Sequence, residues 1–189
     1  MITGTYVVVR TADPDDARAL ARLYDPEQPR AFLLNMRREI QSLTHDDLRE
    51  ALSHKEVRAG LFYAIEDRTG LIRGFFSIKT PLPEVNYSEI LFGLGDSADY
   101  ESPVGAEAIH ILEHMAFVER RLDKLVAQCL ENETDYRNLL SARGYRSDGI
   151  QREVLFTHGR YMSLETLTLF RSNWLERGDQ IGVSVVETV

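Results

Sequence analysis

NYSEILFGLGDSADYESPVGAEAIHILEHMAFVERRLDKLVAQCLENETDYRNLLSARGYRS, residues 86–147, is the stretch whose reading decides the fold. An apolar strand, Ile90–Leu94 with its approach from Tyr87, leads into an acidic turn, Gly95–Pro103. A long amphipathic helix, Val104–Arg121, follows, then a second apolar strand, Leu125–Leu130. A polar turn holding Asn132 and a short helix ending at Gly144, next to Tyr145, complete it. Strand, turn, helix, strand, turn, helix is a βαβα unit. Its first turn faces a helix N-terminus, where an anion, often a phosphate, can be held.

The totals bound what surrounds this unit. A chain of 189 residues reads as a single domain, with a core of about 6–170 and a tail at 171–189. No apolar run approaches the roughly 20 residues of a membrane span. The N-terminus has no basic region followed by a long apolar core, so a secretory signal is not expected. The single cysteine, Cys129, lies in an apolar strand and reads as a packed thiol. These features predict a cytoplasmic protein. With 22 basic against 30 acidic groups the net charge is −8. That opposes non-specific nucleic-acid binding, which needs phosphate neutralisation. It suits a cationic substrate such as an amine, or simply a soluble acidic surface.

Outward from the unit, Thr5–Arg10 is a β-branched strand. Asp13 followed by Pro14 reads as a helix cap and first position, and Ala17, Leu20 and Leu23 continue one face to Tyr24. Asp25–Pro29 is a loop, with helices at Ala31–Ile40 and from Thr44 or Asp46 to Ser53. Strands Leu61–Glu66 and Leu71–Lys79 flank the turn Asp67–Gly70. Pro81–Pro83 breaks the chain before Asn86. After Gly144, strands Ile150–Phe156 and Tyr161–Phe170 flank a turn at Thr157–Arg160. The tail holds Trp174, and Ile181–Val189 is a candidate strand that could pair across a homodimer.

In the long helix, Val104, Ala108, Ile111, Met115, Val118 and Leu122 form one apolar stripe, widened by Ile109, Leu112 and Ala116. Glu107, His110, His114 and Arg121 fall on the other side, expected to face solvent. His110-Ile-Leu-Glu-His114 matches the His-x-x-Glu-His pattern of inverted zinc peptidases. The pattern needs a third ligand, and the sequence offers no clear one, so exposed histidines are the expectation and no metal is assigned.

The order of elements from Tyr6 to Phe170 resembles the GNAT superfamily of acyl-CoA-dependent N-acyltransferases. Val104-Gly-Ala-Glu-Ala-Ile109 is similar to the family's helix start, "Gly-Ile-Gly-Thr-Glu-Ala-Leu". Gly144-Tyr145, Asp148-Gly149 and Gly159-Arg160-Tyr161 resemble the branch that acetylates ribosomal-protein N-termini. The resemblance implies an α/β fold: a mixed, mostly antiparallel central sheet flanked by helices, with a splayed strand pair at the coenzyme cleft. It implies transfer from acetyl-CoA to a primary amine, of a small molecule or a peptide, with no nucleic acid or membrane involved. A GNAT-fold module that binds a ligand or protein without transferring acyl groups is the alternative.

Site residues follow from the resemblance. Leu94 would pair with the pantetheine arm, and Val104, Gly105 and Ala106 would offer amides to the pyrophosphate, with Gly105 small because the phosphate approaches closely. Asn132 would contact the coenzyme arm and Arg137 its phosphates. Glu89 is the candidate base and Tyr136 the candidate acid for the leaving thiolate, set against plain readings as a solvent-facing strand residue and a packed aromatic. The acceptor wall would include Tyr24, Phe32 and Met36. Yet Tyr100 stands at the family's basic or amide position and Pro103, which has no N–H, at its first Gly. Asp96, Asp99 and Glu101 make the turn acidic, each opposing a pyrophosphate by on the order of 1 kcal/mol.

Overall fold

A computed structural model describes residues 1–22, 45–53, 62–79, 84–157 and 159–178. The expected loop Asp25–Pro29 and helix Ala31–Ile40, the wall residues Tyr24, Phe32 and Met36, the break at Pro81–Pro83 and the strand Ile181–Val189 lie outside these residues.

The strands are β1 (Ile2–Thr3), β2 (Val7–Thr11), β3 (Phe62–Asp67), β4 (Ile72–Ile78), β5 (Tyr87–Leu94), β6 (Lys124–Leu130), β7 (Arg146–Thr157) and β8 (Arg160–Phe170). They form one mixed sheet in the order β1-β2-β3-β4-β5-β6-β8-β7, antiparallel throughout except between β5 and β6. A parallel pair cannot be closed by a hairpin, and here the crossover is the long helix that begins at Pro103. β3 and β4 are joined by a tight turn. Asp67 organises it: its carboxylate accepts from the Thr69 and Leu71 amides at 2.8 and 3.1 Å.

Helices α1 (Ala17–Ala21) and α2 (His45–Ser53) pack Leu20, Leu48 and Leu52 with Phe75 of β4. Asp13 caps the 3-10 turn before α1, as its position beside Pro14 predicts. Arg10 then ties this corner to the sheet, reaching Asp16 at 2.7 Å and Glu66 at 2.5 Å. On Asp16, burial pushes the carboxyl upward, but the bonds from Arg10 and the Asp13 amide outweigh it and hold the group below its ordinary value.

The crossover helix α3 (Pro103–His114) starts one residue earlier than the sequence predicts, capped by Ser102. Its last part, Met115–Glu119, is a π turn, with the Arg120 amide bonded to the Met115 carbonyl at 3.0 Å. The wider turn shifts the phase of the helix that follows. Val118, expected on the apolar stripe, is 46% exposed, whereas Phe117 is buried.

The histidine face is a second correction. His110, expected to face solvent, is buried, and Glu113 beside it is buried as well, because a further layer covers them. That layer is the end of α4 (Thr134–Ala142) and the short helix α5 (Arg171–Glu176). Arg143 follows α4 and brings Nη2 to Glu113 Oε2 at 2.5 Å and to His110 Nδ1 at 3.0 Å. Burial pushes the Glu113 carboxyl up, and the Arg143 guanidinium only partly offsets it. α4 ends in a Schellman turn: Gly144 takes φ +84°, with Gly144 N–H on Ser141 C=O and Tyr145 N–H on Leu140 C=O, both at 3.0 Å. That turn aims Arg143 inward. Trp174 of α5 packs on Phe117 at 5.4 Å, so the start of the expected tail belongs to the core.

Glu107, in the first turns of α3, holds the N-terminus of the chain. Its carboxylate accepts from the Thr5, Tyr6 and Val7 amides at 2.7, 2.6 and 2.8 Å. Gly4 makes room, since a Cβ there would lie 2.4 Å from the carboxylate carbon. Charge-assisted bonds of this kind are worth about 1.5–3 kcal/mol each when shielded, less in this partly open site. Glu107→Ala is expected to lower unfolding free energy by about 2 kcal/mol in urea titration; an unchanged midpoint would show that water replaces the carboxylate at no cost.

Candidate active site

The sheet opens in its middle. β5 and β6 pair only at Tyr87–Lys124, Ser88–Leu125 and Glu89–Val126. Beyond Glu89, β5 stays with β4 as far as Leu94, and β6 stays with β8 as far as Leu130. Two bonds fix which way the β5 backbone faces: Lys79 N–H reaches the Glu89 carbonyl and Gly95 N–H reaches the Arg73 carbonyl, at 3.1 and 2.8 Å. Odd-numbered residues thus serve β4, and strand alternation turns the N–H and C=O of Ile90, Phe92 and Leu94 towards the gap.

Three aromatic rings gather beside this gap. Tyr136 of α4 stacks on Phe92 at 6.0 Å, and Tyr100 meets both edgewise at 6.1 and 6.0 Å. Tyr100 also uses its hydroxyl: Leu94 N–H donates to Tyr100 Oη at 2.5 Å. The amide expected to serve a pantetheine arm is therefore bonded to the protein itself. Tyr136 is fully buried, and that burial pushes its phenol well above its ordinary value, with Cys129, Tyr145, Tyr100 and Glu133 adding to the effect.

The turn after β5 is a 3-10 helix, Ser97–Glu101, capped by Asp96. Of its acids, Asp96 and Glu101 are exposed, whereas Asp99 points inward. Asp99 takes Arg73 Nε and Nη2 at 3.0 and 2.6 Å, and this pairing raises the Arg73 guanidinium further above its ordinary value. The helix start that follows has four N–H positions outside the helical ladder. Ser102 N–H goes to the Asp99 carbonyl at 3.3 Å, Pro103 has none, and Val104 N–H goes to Ser102 Oγ at 3.1 Å. Ala106 N–H is the first ladder donor, on the Ser102 carbonyl at 3.2 Å. Gly105 alone is left to face an incoming anion. Its missing side chain serves packing, because a Cβ would lie 2.5 Å from the Asp99 carbonyl oxygen. The small residue is needed by the turn folded over it, which is a different reason from the close phosphate approach expected. As folded, this start does not fit a diphosphate.

The remaining predicted positions separate. Glu89 sits at the last paired position before the gap, partly exposed, and is ion-paired with Lys79, just after β4. Asn132 is exposed in the turn after β6, and the neighbouring Glu133 is buried, its carboxylate accepting Leu130 N–H at 2.8 Å. Arg137 is on the exposed side of α4 and engages Glu165 of β8 at 2.6 Å, which lowers the Glu165 carboxyl below its ordinary range. Its guanidinium is thus committed to the sheet in this arrangement. The structure brings together Leu94 and Tyr136 at the gap, and adds Phe92 and Tyr100. Tyr100 was legible only as a departure from a motif; its hydroxyl's target depends on the 3-10 turn. The His-x-x-Glu-His glutamate is paired with Arg143, and among the described residues no three His, Cys, Asp or Glu side chains gather as a metal site.

A chain with this geometry has relatives. The family model "Acetyltransferase (GNAT) domain" matches residues 7–146, well over half of the chain. No curated protein sequence matches. A GNAT-family acetyltransferase from Bacillus anthracis superposes with a TM-score of 0.73 at 13% identity, over 90% of this chain and 98% of that one. A spermidine N-acetyltransferase from Vibrio cholerae, in complex with CoA and spermine, gives 0.75 at 16% identity, over 91% and 99%. A putative phosphinothricin N-acetyltransferase gives 0.66 at 17%, over 87% and 98%. At these identities the superpositions speak for the fold alone. With the family model spanning β2 to the start of β7, the chain belongs to the GNAT acetyltransferase family.

Proposed function

We propose that the protein transfers an acyl group, acetyl in the simplest case, from acetyl-CoA to a primary amine at the gap between β5 and β6. The divergence of those strands after Glu89 carries this reading. The backbone groups of Ile90 and Phe92 face the gap, and an extended arm bearing amides pairs with such groups as an added strand does. In the reaction the amine nitrogen loses a proton and bonds to the thioester carbonyl carbon. The C–S bond breaks, and the departing thiolate takes up a proton. Tyr136 is our proton donor, supported by its place against Phe92 beside the gap. Glu89 is our base, supported by its position at the mouth of the gap.

The acceptor we assign is a cationic primary amine, of a small molecule or a peptide N-terminus. The net charge of −8 favours its approach. The Vibrio cholerae neighbour holds spermine, and the Gly144–Tyr161 resemblance favours a protein N-terminus. A panel of both kinds of amine separates them.

At a concentration tenfold above its Kd, acetyl-CoA is expected to stabilise the native state by about 1.4 kcal/mol and raise Tm by about 3–5 °C. Release of free CoA thiol with at least one amine of the panel is the matching turnover assay. Absence of both the shift and the thiol would end this reading in favour of the second one, a GNAT-fold module that binds without transfer. That second reading is favoured by the self-bonded amides of Leu94 and Val104.

A further inference from the structure

We infer that this chain recognises its acyl donor only as far as the pantetheine arm, and that Tyr100 and Ser102 are the residues that set that limit. The inference rests on the acyl-transfer reading above and refines its donor. Gripping a diphosphate at a helix start requires several convergent N–H donors and a favourable field. Neither condition is met at α3. Ser102 satisfies Val104 with its hydroxyl and Ala106 with its carbonyl, Pro103 has no donor, and Gly105 is buried beneath the turn. Ser102 is itself fixed, its hydroxyl donating to the Asp99 carbonyl at 2.9 Å.

The field is equally unfavourable. Asp96 and Glu101 are exposed on the turn, and the nearest cation of β4, Arg73, is already neutralised by Asp99 at 2.6 Å and by Asp67 at 3.9 Å. Arg137, the other described cation assigned to this role, is held by Glu165. Upstream, Tyr100 closes the groove. Its hydroxyl occupies the Leu94 N–H, so an added strand along β5 has Ile90 and Phe92 to pair with and ends there. The two features are coupled: the 3-10 turn that inserts the Tyr100 ring beside Phe92 is the same turn whose Asp99 carbonyl abuts Gly105. A neutral arm fits what remains. A tetra-anionic nucleotide end is left to solvent.

The test is calorimetric titration of the full chain with CoA and with pantetheine, which lacks the diphosphate and the nucleotide. The two dissociation constants are expected to agree within about fivefold. Raising salt from about 50 to about 300 mM is expected to leave CoA binding unchanged or strengthen it, because screening relieves repulsion from the acidic turn. CoA binding about fiftyfold or more tighter than pantetheine, and weakening with salt, would overturn the inference while leaving acyl transfer intact. No binding of either up to about 1 mM would overturn both. A gain-of-function variant gives an independent check. Ser102→Gly with Pro103→Gly frees one N–H and adds another, at a small capping cost. It is expected to tighten CoA binding about fivefold or more, with pantetheine within about twofold of the parent. Equal changes for both ligands would show that the helix start does not set the limit.

Discussion

Arg143→Ala is expected to cost about 3–5 kcal/mol of stability, more than any other single side-chain removal considered for this protein. Glu113 is fully buried, and Arg143 is its counterion at 2.5 Å. Removing the guanidinium takes the paired counterion from a carboxylate buried between α3, α4 and α5, leaving the Arg177 charge as a remaining favourable influence, and His110 loses its contact with Arg143. The loss should depend on pH in a defined direction. Burial already raises the Glu113 carboxyl above its ordinary value, and Arg143 is the main influence lowering it. In the variant the folded-state value rises further. A carboxyl raised in the folded state contributes stability below its unfolded value and loses it as pH rises through the folded value. The deficit of Arg143→Ala should therefore be smaller at about pH 5 than at about pH 8, measured by urea unfolding at both. A deficit independent of pH would mean that the carboxylate finds water or another cation. Arg143→Ala combined with Glu113→Gln should recover part of the loss, because the unpaired charge is gone.

Tyr136→Phe is expected to lower kcat by about 10²-fold while leaving the KM for the donor nearly unchanged. A proton donor acts on the departing thiolate, so its hydroxyl matters in the transition state more than in the ground state. The ring itself remains, and with it the stack on Phe92 and the edge contact with Tyr100. Steady-state kinetics with the best amine of the panel reads both constants. An unchanged kcat would remove Tyr136 from the proton path and direct attention to Tyr145, a second fully buried phenol raised by burial and by Glu113.

Local patterning carried much of the fold. The β-branched run of β2, the Asp13-Pro14 start, the Asp67–Gly70 turn and the strand–helix–strand order of 87–130 each follow from rules a few residues long. Gly144 marked the end of α4 for the same reason: a left-handed position after a helix suits glycine. Periodicity failed where a neighbour outside the window decided. Val118 is exposed where a π turn changed the helical phase, and Phe117 is buried under Trp174. His110 read as part of a solvent face because the layer that covers it and Glu113, Arg143 and Trp174, is 30 or more residues away in the chain.

The candidate site divides along the same line. The sequence by itself determined the family, the composition of the turn before α3, and the absence of an N–H at Pro103, because these are properties of residue types and short spacings. It also singled out Tyr136 and Leu94. Only the tertiary structure decided what those groups touch. Tyr100 reaches Leu94 because a 3-10 turn folds back over the end of β5, and Arg137 is drawn to Glu165 because β8 lies beside β6. Hydrogen-bond partners are set by which strands and helices pack together, and that packing is a balance struck over the whole chain, beyond the reach of any local pattern.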